Sequence, residues 1–460
     1  MVGQDALRKL IQALGVENVL IKREDLLCYA YDATPLIKKS VPDVILTPCG
    51  RDDVVSIVKI ANEHMVPIYP RGAGTNLSGG AVPLQGGIVL SLLKMNNILD
   101  VDTENLTATV EPGVIVQDLN DEIGKYGLIY PPDPGTVATA TMGGTVAECA
   151  GGLRGLKYGV TKHYIIGLEV VLTNGDVIKC GGKTVKNVSG YDMTSLFVGS
   201  EGTLGIITEI TVKLMPAPDF SRSMIAVFDD LGKAGKAIAD VIANKVIPAT
   251  MEIMDNLTIR TVENYAKVGL PTEAEAVLLI ELDGMKEIVE KEVDVVIGIC
   301  KTNCAVDIQI AEDEAERDRI WTARRVALPA LAQIKPTVVL EDATVPRSKI
   351  PDMIKACLSI GEKNNIMIAV MGHAGDGNLH PILLADAGDK EEITRLEKAV
   401  EEIFAAAIKF GGTLSGEHGI GIAKAKFMEW EFGETGLVAM KKIKRAFDPN
   451  GMLNPGKIFI

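Results

Sequence analysis

Basic residues are in short supply: 47 Lys and Arg stand against 61 Asp and Glu, a net charge of -14. Nucleic acid is therefore an unsuitable partner, because phosphate binding needs a basic surface. No C-x-x-C pair occurs among Cys28, Cys49, Cys149, Cys180, Cys300, Cys304 and Cys357. Iron–sulfur clusters and zinc ribbons are excluded on that ground. Cys300 and Cys304 fall on one helical face, but they read as small hydrophobes in a reducing compartment. Nor is there a run approaching the roughly 20 apolar residues of a membrane span. The N-terminal stretch carries Asp5 and spaces Leu7, Leu10, Ile11 and Leu14 as an amphipathic helix, unlike a targeting segment. A cytoplasmic protein with no membrane span is expected.

What is present is a core: 47% of the 460 residues are hydrophobic, enough for two or three folded units. Up to about residue 215 the chain is rich in glycine and strands. A helix is predicted over 53–64 and strands over 66–69, 88–92 and 108–111. Asn174-Gly175 between 168–173 and 176–179 signals a hairpin. Pro216 and Pro218 mark a linker. Beyond it, strands (224–228, 276–281, 305–310, 338–342, 366–370) alternate with helices (231–244, 286–301, 312–334, 349–363, 390–410). That order predicts an α+β domain with a helix-covered antiparallel sheet. A helical segment then closes the chain over 419–460. Expected divisions fall at 1–218, with an N-terminal helix about 1–36 and a core about 37–218, then 219–418 and 419–460.

Arg71 to Gly80 packs four glycines into ten residues. Glycine lets backbone N–H groups approach a pyrophosphate and tolerates positive φ. A plain surface turn would look the same. The spacing is not G-x-G-x-x-G, Pro83 interrupts any following helix, and no G-K-[ST] follows, so neither NAD nor ATP is indicated. Further on lie Pro132-Asp-Pro-Gly-Thr136, Thr141-Met-Gly-Gly-Thr145, Ala150-Gly-Gly152, Tyr158-Gly159 and Ser200-Glu-Gly-Thr-Leu-Gly-Ile-Ile207. In this order the segments resemble the FAD-binding domain of the vanillyl-alcohol oxidase / p-cresol methylhydroxylase superfamily, and its FAD-linked D-2-hydroxyacid dehydrogenase branch, which includes D-lactate dehydrogenases and the glycolate oxidase D subunit.

The resemblance implies an α+β fold: a two-part FAD-binding domain, an α+β cap with an antiparallel sheet, and a C-terminal helical segment returning to the FAD domain. It implies that Pro70, Arg71, Gly72, Ala73 and Gly74, then Thr75, Asn76, Ser78, Gly79 and Gly80, wrap the FAD pyrophosphate. Pro134, Gly135 and Thr136, with Thr141, Gly143, Gly144 and Ala147, would line the isoalloxazine and ribityl side. Gly151, Tyr158, Gly159, Glu201 and Asn454 join the expected cofactor set, as do Gly205 and the backbones of Ile206 and Ile207. Some relatives attach flavin through a His in the first glycine loop; Thr75 and no His occurs here, so FAD is expected without a covalent bond.

Three of the five histidines lie in two short motifs, Gly372-His-Ala-Gly-Asp-Gly-Asn-Leu-His380 and Ser415-Gly-Glu-His-Gly419. His373 ends one apolar run and His380 begins another, with turn chemistry between them. Such a hairpin brings two imidazoles side by side, and Glu417 completes a set suited to Zn²⁺, Fe²⁺ or Mn²⁺. Hydrogen-bonded strand-end histidines are the plain alternative, favoured for one isolated His but not for two flanking a Gly-rich turn. The resemblance agrees: relatives bind a divalent metal at these positions and place the histidine of the second motif, His418, as general base. It also points to Arg324 as the fork for a substrate carboxylate. By residues alone, Arg324 and Arg325 read as helical charges paired with Glu312, Asp313, Glu314 or Glu316.

These expectations combine into one reaction. Arg324 holds a small 2-hydroxy acid, D-lactate first and glycolate as the alternative. The metal acidifies the hydroxyl, His418 takes its proton, and hydride passes to flavin N5. A polar residue two beyond the second metal His goes with 2-hydroxyglutarate in relatives; Ile382 here favours a smaller acid. No haem, iron–sulfur or NAD motif offers an electron exit, so either oxygen or a separate protein reoxidises the flavin. The resemblance to lactate dehydrogenase subunits of anaerobes implies an electron-transferring flavoprotein, α and β subunits, with NAD and ferredoxin acting there. Two competing classes are a metal hydrolase, which leaves the glycine-rich half without a role, and a non-catalytic flavoprotein scaffold, which leaves Arg324, Glu417 and His418 without one.

Overall fold

Val54, Ile57, Val58 and Ala61 recur at helical spacing along Arg51–Glu63, and all four are buried. They pack on strands Val44–Leu46, Ile68–Arg71 and Ile88–Ser91, together with Leu10 and Leu14 of helix Gln4–Leu14. Ile88–Ser91 pairs in parallel with both neighbours. The N-terminal helix is shorter than the 36 residues expected. It stops at Gly15, φ 81°, and the chain then forms strand Val19–Leu20 at the edge of this sheet. Glycine takes that positive φ without the steric cost other residues meet.

In the computed structural model, which describes residues 2–459, the chain divides into two compact units. The first contains the chain up to Gly151, Val160–Ala217, and everything from Glu417 on. Besides the parallel sheet it holds a five-stranded antiparallel sheet in the order Ile98–Asp102, Thr107–Val110, Ile206–Lys213, Ile165–Val171, Val177–Gly181. The last pair is the hairpin signalled by Asn174-Gly175. Near the C-terminus, after helix Met428–Phe447, Leu453 bridges Ile68 in parallel, and Asn454 N donates to the Ile68 carbonyl at 2.8 Å. The C-terminal segment thus braces the strand that leads into the glycine-rich loop.

The second unit comprises Gly152–Gly159 and Pro218–Gly416. Its sheet runs Asp307–Ile310, Phe220–Phe228, Ala276–Gly284, Thr250–Asp255, Met367–His373, Asn378–Ala385, Thr337–Leu340, and every pairing is antiparallel. Side chains alternate between two apolar cores. Met224, Ala226 and Phe228 join helices Leu231–Ala243, Lys286–Thr302, Ile350–Asn364 and Lys390–Lys409. Ile225, Val227, Met254, Met371 and Ile382 join Asn256–Ala266, Glu314–Arg325 and Ala327–Leu331. A sheet covered on both faces reads as unbroken apolar runs, as these strands do.

One predicted element is wrong in a telling way. The helix expected over 312–334 breaks into Glu314–Arg325 and Ala327–Leu331. Pro329 has no N–H to offer the Arg325 carbonyl, and its ring crowds that oxygen. The first helix therefore ends at Arg325. Strand Thr250–Asp255 and helix Asn256–Ala266 were not anticipated. None of the described helices is long and apolar enough to cross a membrane.

Phe228 is fully buried in the larger core. Phe228→Ala should lower unfolding free energy by about 3–5 kcal/mol, read as a shift in urea midpoint; a change under about 1 kcal/mol would contradict this packing.

Candidate active site

The Gly375-Asp-Gly-Asn378 turn joins strands Met367–His373 and Asn378–Ala385, with Met371 opposite His380 and His373 opposite Asn378. The imidazoles of His373 and His380 are consequently neighbours, ring centroids 5.0 Å apart and nearly perpendicular. Each ring is held through Nδ1: His373 by the Glu252 carboxylate at 2.6 Å, and His380 by the Glu341 carbonyl at 3.2 Å. Both partners are acceptors, so each Nδ1 carries the proton and the lone pair lies on Nε2. Metal-binding histidines are commonly oriented in this way.

Glu252 was missed in the sequence. It lies on strand Thr250–Asp255, fully buried, beside the end of the His373 strand, where Ile253 pairs with Gly372. Its second oxygen accepts from Arg324 Nε at 2.6 Å. Burial pushes the Glu252 carboxyl up. Its partners His373 and Arg324 outweigh that and hold it low, at about 2. Arg324 is therefore no solvated helical charge. Its side chain is 14% exposed, whereas exposed Arg325 only reaches Thr322 Oγ1 and the Asp318 carbonyl.

Asp342, also unanticipated, fixes the second motif. It accepts from Ser415 Oγ at 2.6 Å, from Gly416 N at 2.8 Å and from the Asn378 side chain. A Cβ on Gly416 would meet the Asn378 amide at 2.5 Å, so only glycine fits there. Glu417 follows directly on this anchored peptide, and donor atoms of His373, His380 and Glu417 lie within 4.8 Å of one another. His418, half-buried, comes next. The loop beyond it is held by Glu201, whose two oxygens accept from Ile420 N at 2.7 Å and Gly421 N at 2.8 Å.

In the first unit, two of the expected cofactor segments meet. A Cβ on Gly72 would lie 2.2 Å from Thr141 Oγ1, and that hydroxyl accepts from Gly144 N to cap helix Met142–Glu148. Glu201 N donates to the Ala147 carbonyl at 2.8 Å. Asn454 Nδ2 donates to the carbonyls of Gly80 (3.0 Å) and Glu201 (2.7 Å). Ile206 and Ile207 are buried in strand Ile206–Lys213, and Gly205 abuts Val170. Gly151 lies against Glu417, where a Cβ would meet Oε2 at 2.5 Å.

Other residues of the expected set have partners within the chain. Arg71 turns inward, donating to the Tyr31 carbonyl at 2.8 Å, and Gly74, φ 72°, gives its guanidinium room. Pro134 to Thr136 form a turn closed by Val137 N on the Pro134 carbonyl, with Gly135 and Thr136 exposed. Tyr158 and Gly159 belong to the second unit, where the Tyr158 hydroxyl donates to Asp283 at 2.7 Å.

Among the polar side-chain atoms of the first unit that are sealed from solvent without a hydrogen-bond partner, Asn76 Oδ1, Ser78 Oγ, Glu148 Oε2 and Asn454 Oδ1 lie on or beside the glycine-rich loop. Such atoms are uncommon in folded proteins. Their clustering on and around a glycine-rich loop fits a polar ligand that would satisfy them. Residues 42–181 match the FAD binding domain and 217–458 match the C-terminal domain of FAD linked oxidases. The chain belongs to the FAD-linked oxidase family.

This FAD-linked oxidase is 51% identical over 459 residues to the glycolate oxidase subunit GlcD of Bacillus subtilis, covering 100% of the chain and 97% of that protein. It is 36% identical to the D-lactate dehydrogenase of Anaerostipes hadrus, over 97% of the chain and 95% of that relative. Its fold matches p-cresol methylhydroxylase with a TM-score of 0.83 at 21% identity, covering 100% of the chain and 98% of that structure. The two-part FAD-binding fold with an α+β cap is thus established, as is FAD-linked oxidoreductase chemistry on both halves; a metal hydrolase is set aside.

Glu148 generates a pH prediction for the FAD-linked oxidase. Burial, then the nearby Glu201 charge, raises its carboxyl well above the usual range. Above about pH 4.5 the unfolded chain gives up a proton that the folded state keeps, so stability falls with rising pH until the folded group ionises. Glu148→Gln should flatten that slope by up to about 1.4 kcal/mol per pH unit and raise the melting temperature at pH 8 more than at pH 5. An equal change at both pH values would contradict the assignment.

Proposed function

We propose that the protein is an FAD-dependent dehydrogenase of small 2-hydroxy acids, converting D-lactate to pyruvate, with glycolate as the second candidate. The observation that carries this reading is the convergence of His373, His380 and Glu417 donor atoms within 4.8 Å in a chain of FAD-linked oxidase family. The relative named D-lactate dehydrogenase supports the first substrate and the relative named glycolate oxidase subunit the second. Ile382, fully buried, sits two residues beyond His380 and supports an acid without a second carboxylate.

Two imidazole nitrogens and a carboxylate suit Fe²⁺ or Zn²⁺, with Mn²⁺ a third choice. A divalent cation held by His373, His380 and Glu417 would supply Lewis acidity at the substrate hydroxyl. FAD, bound without a covalent link since Arg71 to Gly80 contains no histidine, supplies the two-electron acceptor. The remaining work falls to the chain. Arg324 spends Nε on Glu252 and presents its two Nη groups to the substrate carboxylate, a planar, permanently charged fork. His418 takes the hydroxyl proton as the C2 hydride leaves, giving the 2-oxo acid. We further propose an electron-transferring flavoprotein as the acceptor; the word "subunit" in the Bacillus relative's name supports an assembled enzyme.

Anaerobic stopped-flow mixing of the yellow protein tests this. D-lactate should bleach the flavin faster than glycolate, L-lactate should not, and added electron-transferring flavoprotein should restore the colour faster than air. A flavin inert to all D-2-hydroxy acids would overturn the dehydrogenase reading. Faster bleaching by glycolate would exchange the two substrates, and fast recovery in air would remove the proposed partner.

A further inference from the structure

Glu252 touches both halves of the proposed site. Its Oε1 is 2.6 Å from His373 Nδ1 and its Oε2 is 2.6 Å from Arg324 Nε, and the side chain is fully buried. Strand pairing makes this unavoidable. Ile253 is in register with Gly372, so Glu252 stands beside His373, and the two-residue alternation puts it on the same face as Met254, the face packed by helix Glu314–Arg325.

An ionised carboxylate only accepts hydrogen bonds. Both neighbours must therefore donate to it. For Arg324 this commits Nε and fixes the guanidinium plane, so the two Nη groups are the ones left for a ligand. For His373 it fixes the tautomer, with the proton on Nδ1 and the lone pair on Nε2. We propose that Glu252 is a positioning residue that ties the substrate fork to the cation site: one carboxylate sets which nitrogen of His373 meets the ion and which edge of Arg324 meets the acid. The inference rests on the dehydrogenase reading above and adds to it a group that neither the His-rich motifs nor Arg324 reveals.

Glu252→Gln separates positioning from packing. The amide keeps the shape but offers one acceptor and one NH₂ donor. Arg324 is always protonated and takes the acceptor, so the NH₂ faces His373 Nδ1. That forces the proton onto Nε2, the ligand end. Glu252→Asp keeps the charge and both acceptors but leaves a small gap. A packing role ranks Gln above Asp; positioning ranks Asp above Gln.

The readout is Zn²⁺ and Mn²⁺ affinity, by chelator competition on flavin-loaded protein, with bound flavin as the check on folding. Glu252→Gln should weaken affinity by about ten- to a hundredfold, with Glu252→Asp between it and the unmodified protein, and the KM for D-lactate should rise in both. Affinity within twofold of the unmodified protein for Glu252→Gln, or Gln ranking above Asp, overturns the inference. His373→Ala distinguishes the two levels. If it abolishes binding while Glu252→Gln does not, only the role of Glu252 fails. If it leaves affinity unchanged, the cation site fails and the inference with it.

Discussion

A carboxylate sealed inside an apolar sheet must be met by positive charge or strong donors, and Glu252 is met by two. Losing one partner of such a buried pair costs about 3–5 kcal/mol, because the remaining charge is stranded. Helix Glu314–Arg325 is thereby coupled to the His373 strand, and its end at Arg325, set by Pro329, decides where Arg324 can reach. The hairpin that pairs His373 with His380 supplies the second constraint, and Asp342 supplies the third by fixing the peptide just before Glu417. Two of the three constraints are hydrogen bonds to a buried acid, and the other is the register of a strand pair.

The first unit solves a different problem. It must bring backbone and small polar groups close to a large anionic cofactor without bulky side chains in the way. Glycine at positions 72, 80 and 151 leaves room for Thr141, Asn76 with Glu148, and Glu417 respectively. Glu201 and Asn454 then clamp loops from distant parts of the chain: Glu201 binds the 420–421 backbone, and Asn454 binds Gly80 and Glu201. Buried carboxyls here carry little compensating charge. Lys457, itself lowered to about 8 by burial against the pull of Glu201, Asp32 and Glu148, is one of the cations among them.

Much of this was legible in the sequence because it is local. The glycine segments, the His373 to His380 hairpin and the Glu417-His418 pair each lie within a dozen residues, and turn chemistry reports them directly. The helix and strand periods of both units were readable for the same reason. Glu252 was not, since it meets His373 across 121 positions of chain. The signal available was an acid inside the apolar run from Ala249 to Met254, a pattern that strand alternation alone does not separate from a solvent-facing residue. Asp342 was hidden in the same way, 74 residues from Gly416. Arg324 and Arg325 are equivalent in composition, and only the break before Ala327 and the buried partner tell them apart. The long helix over 312–334 failed because the apolar spacing continues through Pro329 while the backbone hydrogen bonds do not.

The most direct test of the account is a crystal structure of the flavin-loaded protein with Mn²⁺, read by anomalous scattering at the manganese edge. The account predicts a single strong peak ligated by Nε2 of His373, Nε2 of His380 and a Glu417 carboxylate oxygen, with both Nδ1 atoms still on Glu252 and the Glu341 carbonyl. A peak elsewhere, or ligation through Nδ1 of His373, would contradict it.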